Sequence, residues 1–192
     1  MLKLDYNIVL GSKSPRRVEL LNGLDINFTS RVVETDEIYP SDMNPEDVPE
    51  YLAKEKAIAQ ENQMGSDDLL ITADTIVIID GEILEKPGNR SEAIEMVTKL
   101  SGKTHVVVTG VSIRTNDSWV TFSDKTEVTF TKLSNEEVEY YIDKYSPFDK
   151  AGSYGVQEWI GYIGIEKMVG SYYNVMGLPV QKLYNQLKAF SR

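Results

Sequence analysis

Asn7-Ile8-Val9-Leu10-Gly11-Ser12-Lys13-Ser14-Pro15-Arg16-Arg17 is an apolar run, a glycine turn and the start of a helix. Ile8, Val9 and Leu10 have the composition of a short buried strand. Pro15 suits the first turn of a helix, where its missing N–H breaks no hydrogen bond. Val18, Leu20, Leu21 and Leu24 give that helix an apolar face, and Gly23 marks its end. Strand, loop and helix in this order form the elementary unit of an α/β fold. The loop sets the hydroxyls of Ser12 and Ser14 and the guanidiniums of Arg16 and Arg17 where backbone N–H groups face outward. It reads as an anion site in a chain of formal net charge −10. A capped helix with surface arginines is the plainer alternative, and the loop lacks the Gly-Lys-Ser/Thr of a P-loop.

Outward from this unit, residues 26–33 have strand-like composition, and Thr35-Asp36-Glu37-Ile38-Tyr39-Pro40 reads as a loop. Pro45 opens the next helix, whose apolar pattern runs from Glu50 to Gln63. Leu69 to Ala73 and Ile76 to Ile79 read as central strand segments on either side of the polar pair Asp74-Thr75, closed by the hairpin signal Asp80-Gly81. Ser91 to Leu100 is helical in pattern. His105 to Val111 and Trp119 to Phe130, separated by the turn Thr115-Asn116-Asp117-Ser118, read as antiparallel neighbours. Ser134-Asn135-Glu136-Glu137 caps a helix through Tyr145, Ile160 to Ile165 reads as a short strand, and Pro179 to Phe190 as a terminal helix. The sum is a mixed α/β fold, taken as one domain over 1–192 because no linker divides it, with an element order that permits two lobes around a cleft.

The 192 residues include no cysteine and one histidine, His105. The missing cysteine excludes disulfides, thiol catalysis, zinc fingers and cysteine-bound iron-sulfur clusters, and the lone histidine argues against a histidine-rich metal site or a Ser-His-Asp triad within one chain, so any metal is expected to be a hard, oxygen-ligated one. With 30 acidic and 20 basic side chains and no basic stripe, the surface suits a small phosphorylated ligand better than a nucleic-acid polymer. No apolar run approaches the roughly 20 residues that span a membrane, and the N-terminus lacks a secretory signal. The expectation is a cytoplasmic protein with no membrane partner.

Asp74 is the most pointed chemical candidate, because a carboxylate set among apolar neighbours is costly without a metal, a cation or a catalytic water beside it. Glu37 could join it in holding a divalent cation, with Glu34 and Asp36 as competitors, since magnesium needs few protein carboxylates. Lys56, on the second helix, and Lys86, in Glu85-Lys86-Pro87, offer counter-charge to phosphates; taken alone, either reads as a solvated lysine. Gln157, after Gly152-Ser153-Tyr154-Gly155-Val156, presents an amide that donates and accepts at a nucleobase edge, with Asp149-Lys150 as a brace for its loop. His105 reads as a structural hydrogen-bonding group, and Trp119, Trp159 and Tyr140-Tyr141 as packing groups.

Taken together, GSKSPRR, LAKEKA, ITADT, LEKPGN, LSGKTH, DKAGSYGVQ and VMGLPV closely resemble the Maf family of nucleotide pyrophosphatases over nearly the whole chain. The resemblance implies a two-lobed α/β fold, related to inosine triphosphate pyrophosphatases, with an elongated mixed sheet flanked by helices and a nucleotide cleft. It implies cleavage of a nucleoside triphosphate to the monophosphate and pyrophosphate with Mg²⁺ or Mn²⁺. Through the matching motifs it assigns proton acceptance to Asp74, metal binding to Glu37 and Asp74, catalytic charge to Lys56 and Lys86, and phosphate binding to Ser12, Arg17, Lys56 and Lys86. Arg16, Thr75 and Gln157 agree with the branch acting on dTTP and UTP, which implies a pyrimidine substrate. Members of the family often form homodimers. Glu85 departs from the pattern, standing where a glycine commonly precedes the Lys-Pro pair. Whether Asp74 is base, metal ligand or both stays open, as does the rival reading of a non-catalytic nucleotide-binding regulator of cell division or septum formation.

Overall fold

In the computed structural model, which describes residues 2–191, the opening motif folds as its sequence predicts: β1 (Asn7–Leu10) leads through the Gly11 loop into α1 (Pro15–Asn22). The outermost residues of the expected 1–192 domain, Met1 and Arg192, lie outside the described residues. By internal packing the chain falls into two compact units, one made of Met1–Asp74, Thr109–Asp124 and Gly177–Arg192, the other of Thr75–Val108 and Lys125–Met176.

The first unit is built on a parallel ribbon. β1 pairs in parallel with β2 (Thr29–Ser30) on one side and with residues 68–71 of β3 (Asp68–Ile79) on the other. Strand order here is β2-β1-β3-β5-β6, where β5 is Thr104–Arg114 and β6 is Trp119–Phe130. The four-residue turn joining β5 to β6 is closed by Thr115 N–H donating to Ser118 O at 2.8 Å, a connection that only antiparallel neighbours permit. A 3₁₀ turn at Pro45–Asp47 precedes α2 (Val48–Ile58), and α7 (Val180–Leu187) runs on into a 3₁₀ turn at Lys188–Phe190. Val9, Ala57 and Leu70 form a buried cluster under α2, with Met64 packed against it.

The second unit holds the rest of β3, β5 and β6. Val77–Ile79 turns back through Asp80 (φ 53°) and Gly81 (φ 82°) into β4 (Glu82–Leu84), the antiparallel hairpin that Asp-Gly favours. The helix α3 (Arg90–Leu100) packs on α4 (Asn135–Tyr145), and Ser134 and Glu137 close a full capping box at the start of α4. A short α5 (Trp159–Gly164), β7 (Ile165–Val169), antiparallel to β6, and α6 (Tyr172–Met176) complete it.

Three expectations are corrected. Residues 160–164 are not a strand, and only Ile165 of the expected run is, as the start of β7: Trp159–Gly164 is α5, which buries Ile160 and Gly164 four residues apart and leaves Tyr162 82% exposed, where strand alternation would have buried it. The strand expected over 26–33 reduces to Thr29–Ser30. The helix expected to reach Gln63 ends at Ile58: Gln60 N–H turns to Ala57 O (3.3 Å), a separate 3₁₀ turn covers Glu61–Gln63, and the Gln60 side-chain amide donates to the Lys56 carbonyl near the helix end (3.3 Å).

Candidate active site

In the first unit the Gly11 loop, β3 and α2 converge. Gly11 N–H donates to Ile71 O at 2.8 Å, tying the loop to β3. A β-carbon at Gly11 would lie 2.5 Å from the Gln60 amide nitrogen, just beyond α2, and 2.7 Å from Thr72 Cγ2 on β3, so the close packing of the loop against β3 favours glycine. Thr72 Oγ donates to Ala53 O at 2.6 Å, a buried bond that fixes the middle of α2 against β3.

That placement delivers Lys56 to two carboxylates at once: its Nζ lies 2.6 Å from Asp74 Oδ1 and 2.8 Å from Glu37 Oε1. Asp74 is nearly enclosed, with 9% of its side chain exposed, whereas Glu37 is 44% exposed. The ammonium thus supplies the cation that a carboxylate in the apolar middle of β3 demands. Glu34 is turned elsewhere, to Lys13 at 2.6 Å, so of the acidic loop residues it is Glu37 that faces Lys56 beside Asp74.

Arg17 lies next to this pair. Its Nε donates to Gly177 O at 2.8 Å, and its Nη1 donates to Ala73 O at 2.8 Å and to Ser12 Oγ at 3.4 Å. Desolvation lowers the guanidinium's proton affinity, and the charges of Asp74 and Glu37 work against that lowering; an arginine remains charged throughout. The Ser12 hydroxyl is buried and accepts from Ser14 N–H at 3.2 Å, while Ser14, the N-cap of α1, makes no side-chain capping bond. Arg16 sits half-buried beside Arg17 on the first turn of α1. Ser12, Arg17, Glu37, Lys56 and Asp74 are therefore one constellation.

Thr75, Lys86 and Gln157 belong to the second unit. Thr75 follows Asp74 along β3. Lys86 is exposed in the loop after β4, which is anchored by Gly152 N–H donating to Glu85 O (3.1 Å) and by Gly88 N–H donating to Glu92 Oε2 (2.7 Å). The first of these bonds ties the Lys86 loop to the segment that leads to Gln157. The Gln157 Oε1 atom is buried and has no hydrogen-bond partner. The expected brace is present, with Lys150 Nζ 2.7 Å from Asp149 Oδ1. His105 is structural: buried between the Phe130 and Tyr154 rings, its Nε2 lies 2.7 Å from Tyr154 Oη, and burial pushes its pKa down to about 4.

Among the described residues no group of three or more His, Cys, Asp or Glu side chains is arranged to hold a metal. Asp74 and Glu37 nevertheless converge on one cationic group, and two carboxylates are enough for an ion that keeps water and phosphate oxygens in its shell. The pair fits a magnesium-type ion and not a dedicated protein cage. Sequence reading did not identify Gln60, whose side chain packs against the Gly11 loop, nor Tyr141, whose hydroxyl accepts the Gly155 N–H at 3.0 Å; both meet partners far away in sequence.

An α/β chain that gathers two carboxylates, an ammonium and a guanidinium just past the end of a parallel strand has the construction of a protein that handles phosphate esters. The family described as Maf-like protein matches residues 7–190, and the chain belongs to the Maf family. Among similar proteins, a dTTP/UTP pyrophosphatase of Parabacteroides distasonis is 55% identical over 186 residues, 96% of each chain. One of Porphyromonas gingivalis is 57% identical over 190 residues, 96% of this chain and 94% of its own. One of Bacteroides thetaiotaomicron is 52% identical over 184 residues, 95% of each.

Proposed function

We propose that the protein is a cytoplasmic pyrophosphatase that hydrolyses dTTP and UTP to the nucleoside monophosphate and pyrophosphate. The observation that carries the chemistry is the Lys56 ammonium shared between Asp74 and Glu37, with Arg17 alongside. A site for binding alone gains little from two carboxylates placed where a polyanion is to sit. The full-length relatives that bear the dTTP/UTP name carry the substrate class.

In this reading Asp74 accepts a proton from the water that attacks the α-phosphorus, and pyrophosphate leaves as the P–O bond to the β-phosphate breaks. Lys56 and Arg17 balance the charge that develops on the phosphoryl oxygens, and the Ser12 hydroxyl and Lys86 hold the phosphate chain. Glu37 and Asp74 would hold Mg²⁺ or Mn²⁺, which when bound neutralises phosphate charge. Gln157 reads the base: its buried, unpartnered acceptor oxygen matches the N3–H donor of uracil and thymine. Arg16 and Thr75 shape the same preference. The net charge of −10 favours this small anion, gathered at a local basic cluster, over a nucleic-acid polymer. The exposed Tyr162, Val169, Tyr172 and Tyr173 provide apolar surface for a homodimer.

The test is pyrophosphate release from dTTP, UTP, CTP and GTP with and without Mg²⁺ or Mn²⁺. Metal-dependent release from dTTP and UTP, in excess over GTP, is expected. Stoichiometric nucleotide binding with no pyrophosphate, or release of orthophosphate in its place, overturns the reading.

A further inference from the structure

We infer that Tyr141 and Glu158 are positioning residues for base recognition, fixing the short turn from which Gln157 projects. The inference rests on the base-reading role proposed for Gln157.

Tyr141, on α4, is fully buried, and its hydroxyl accepts the Gly155 N–H at 3.0 Å while donating to Glu158 Oε2 at 2.5 Å. Gly155 lies two residues before Gln157 and Glu158 one residue after it, so one phenol oxygen ties down both ends of the turn. The turn is closed in the backbone by Glu158 N–H donating to Gly155 O at 3.0 Å. The second oxygen of Glu158 faces Lys150 Nζ at 3.2 Å, and that ammonium is also paired with Asp149. A β-carbon on Gly155 would lie 2.8 Å from Glu158 Cδ, so the carboxylate rests against the backbone it helps to hold.

Direction of donation follows from the surroundings. Burial and the neighbouring Glu158 push the Tyr141 hydroxyl's ionisation well above the ordinary tyrosine range, so it stays an O–H donor to the carboxylate and an acceptor for the amide. Gln157 itself has no such anchor on its side-chain oxygen. Its aim therefore follows the backbone of the turn and the packing around it, and a shift of the turn would re-aim the amide. Discrimination between a base that offers N3–H and one that offers an N3 lone pair would suffer most, because that choice depends on which end of the amide is presented.

Steady-state kinetics of Tyr141→Phe and Glu158→Ala with UTP and CTP, together with thermal melting, test this. Loss of the hydroxyl should raise KM for UTP and lower the UTP-to-CTP ratio of kcat/KM by about 3- to 10-fold, the scale of one hydrogen bond. The kcat with UTP should stay within about twofold of wild type, as expected when binding geometry is lost and the reacting groups are untouched. Glu158→Gln, which keeps an acceptor for the phenol, should restore much of the ratio lost in Glu158→Ala. A lower melting temperature with the ratio unchanged overturns the inference, since a merely structural role predicts that result. If Tyr141→Phe does not fold, Glu158→Ala decides alone. A wild-type protein that releases no pyrophosphate from UTP or dTTP overturns the functional reading itself, and this inference with it.

Discussion

Lys56 Nζ stands 2.6 Å from Asp74 Oδ1, an ion pair whose side chains are 16% and 9% exposed. Both partners arrive by backbone design: Asp74 interrupts the apolar run of β3, and the Thr72–Ala53 bond seats the helix that carries Lys56. A pair this enclosed is weak evidence for stability, because desolvation offsets much of the attraction. Its position in an otherwise apolar strand is better explained by chemistry.

Asp74→Asn keeps the side chain's size and an acceptor for Lys56 but removes the proton-accepting carboxylate. Turnover should fall by about 10²- to 10⁴-fold, the range for loss of a general base, while circular dichroism and melting show a folded protein. Retained turnover at saturating metal would remove Asp74 from the reaction.

Arg17→Lys keeps a positive charge and loses the fork. The guanidinium spans Gly177 O and Ala73 O through separate N–H groups at 2.8 Å each, which one ammonium on a flexible stem does not reproduce. Pyrophosphate release should fall by about 10²-fold, as for removal of one oriented donor, and stability by about 1 to 3 kcal/mol for the carbonyls left unpaired. Wild-type rates for the lysine variant would show that charge alone suffices at this position.

Much of this was legible because it is local. The Ser134 capping box, the Asp80-Gly81 hairpin and the strand-loop-helix around Gly11 are each specified by residues within a few positions of one another. The apolar run at 160–165 is too short for periodicity to separate strand from helix, and only burial of Ile160 and Gly164 on one face decides it. Asp74 stood out because a carboxylate in a strand core demands a partner, yet nothing in the sequence said that the partner would be Lys56, eighteen residues upstream. Gln60 and Tyr141 carried no local signal at all. One reads as a helix-end amide and the other as a core aromatic until the Gly11 loop and Gly155 are placed against them.

Gly110→Ala tests how far the site depends on the seating of α2. A β-carbon at residue 110 would lie 2.2 Å from Pro49 C and Glu50 N, backbone atoms that cannot swing aside as a side chain could. The start of α2 must shift, and Lys56 with it. We expect a loss of about 3 kcal/mol by chemical denaturation, at the upper end for overpacking, together with reduced kcat in whatever fraction stays folded. Full activity and stability would show that α2 moves without consequence for the Lys56–Asp74 pair.

Burial of neutral His105 should make the fold less stable in mild acid. His105 faces the Phe130 and Tyr154 rings and the Tyr154 hydroxyl, its Nδ1 has no hydrogen-bond partner among the described residues, and burial lowers its pKa to about 4. An unfolded chain binds the proton near the ordinary value of about 6.5. Between these values the unfolded state holds more protons than the folded one, so the stability contributed by neutral His105 is complete above pH 6.5 and is lost as pH falls towards 4. The loss should reach about 2 kcal/mol between pH 7.5 and 5. Carboxylates held low by cations, such as Asp80 and Asp143, titrate below their ordinary values and so act mainly at lower pH than this window. Urea denaturation of the wild type across pH 7.5 to 5 should therefore show a falling midpoint. His105→Gln, which retains a hydrogen-bonding group for Tyr154 but cannot be charged, should flatten that slope from a lower starting stability. An unchanged slope in the variant would assign the acid sensitivity to other groups.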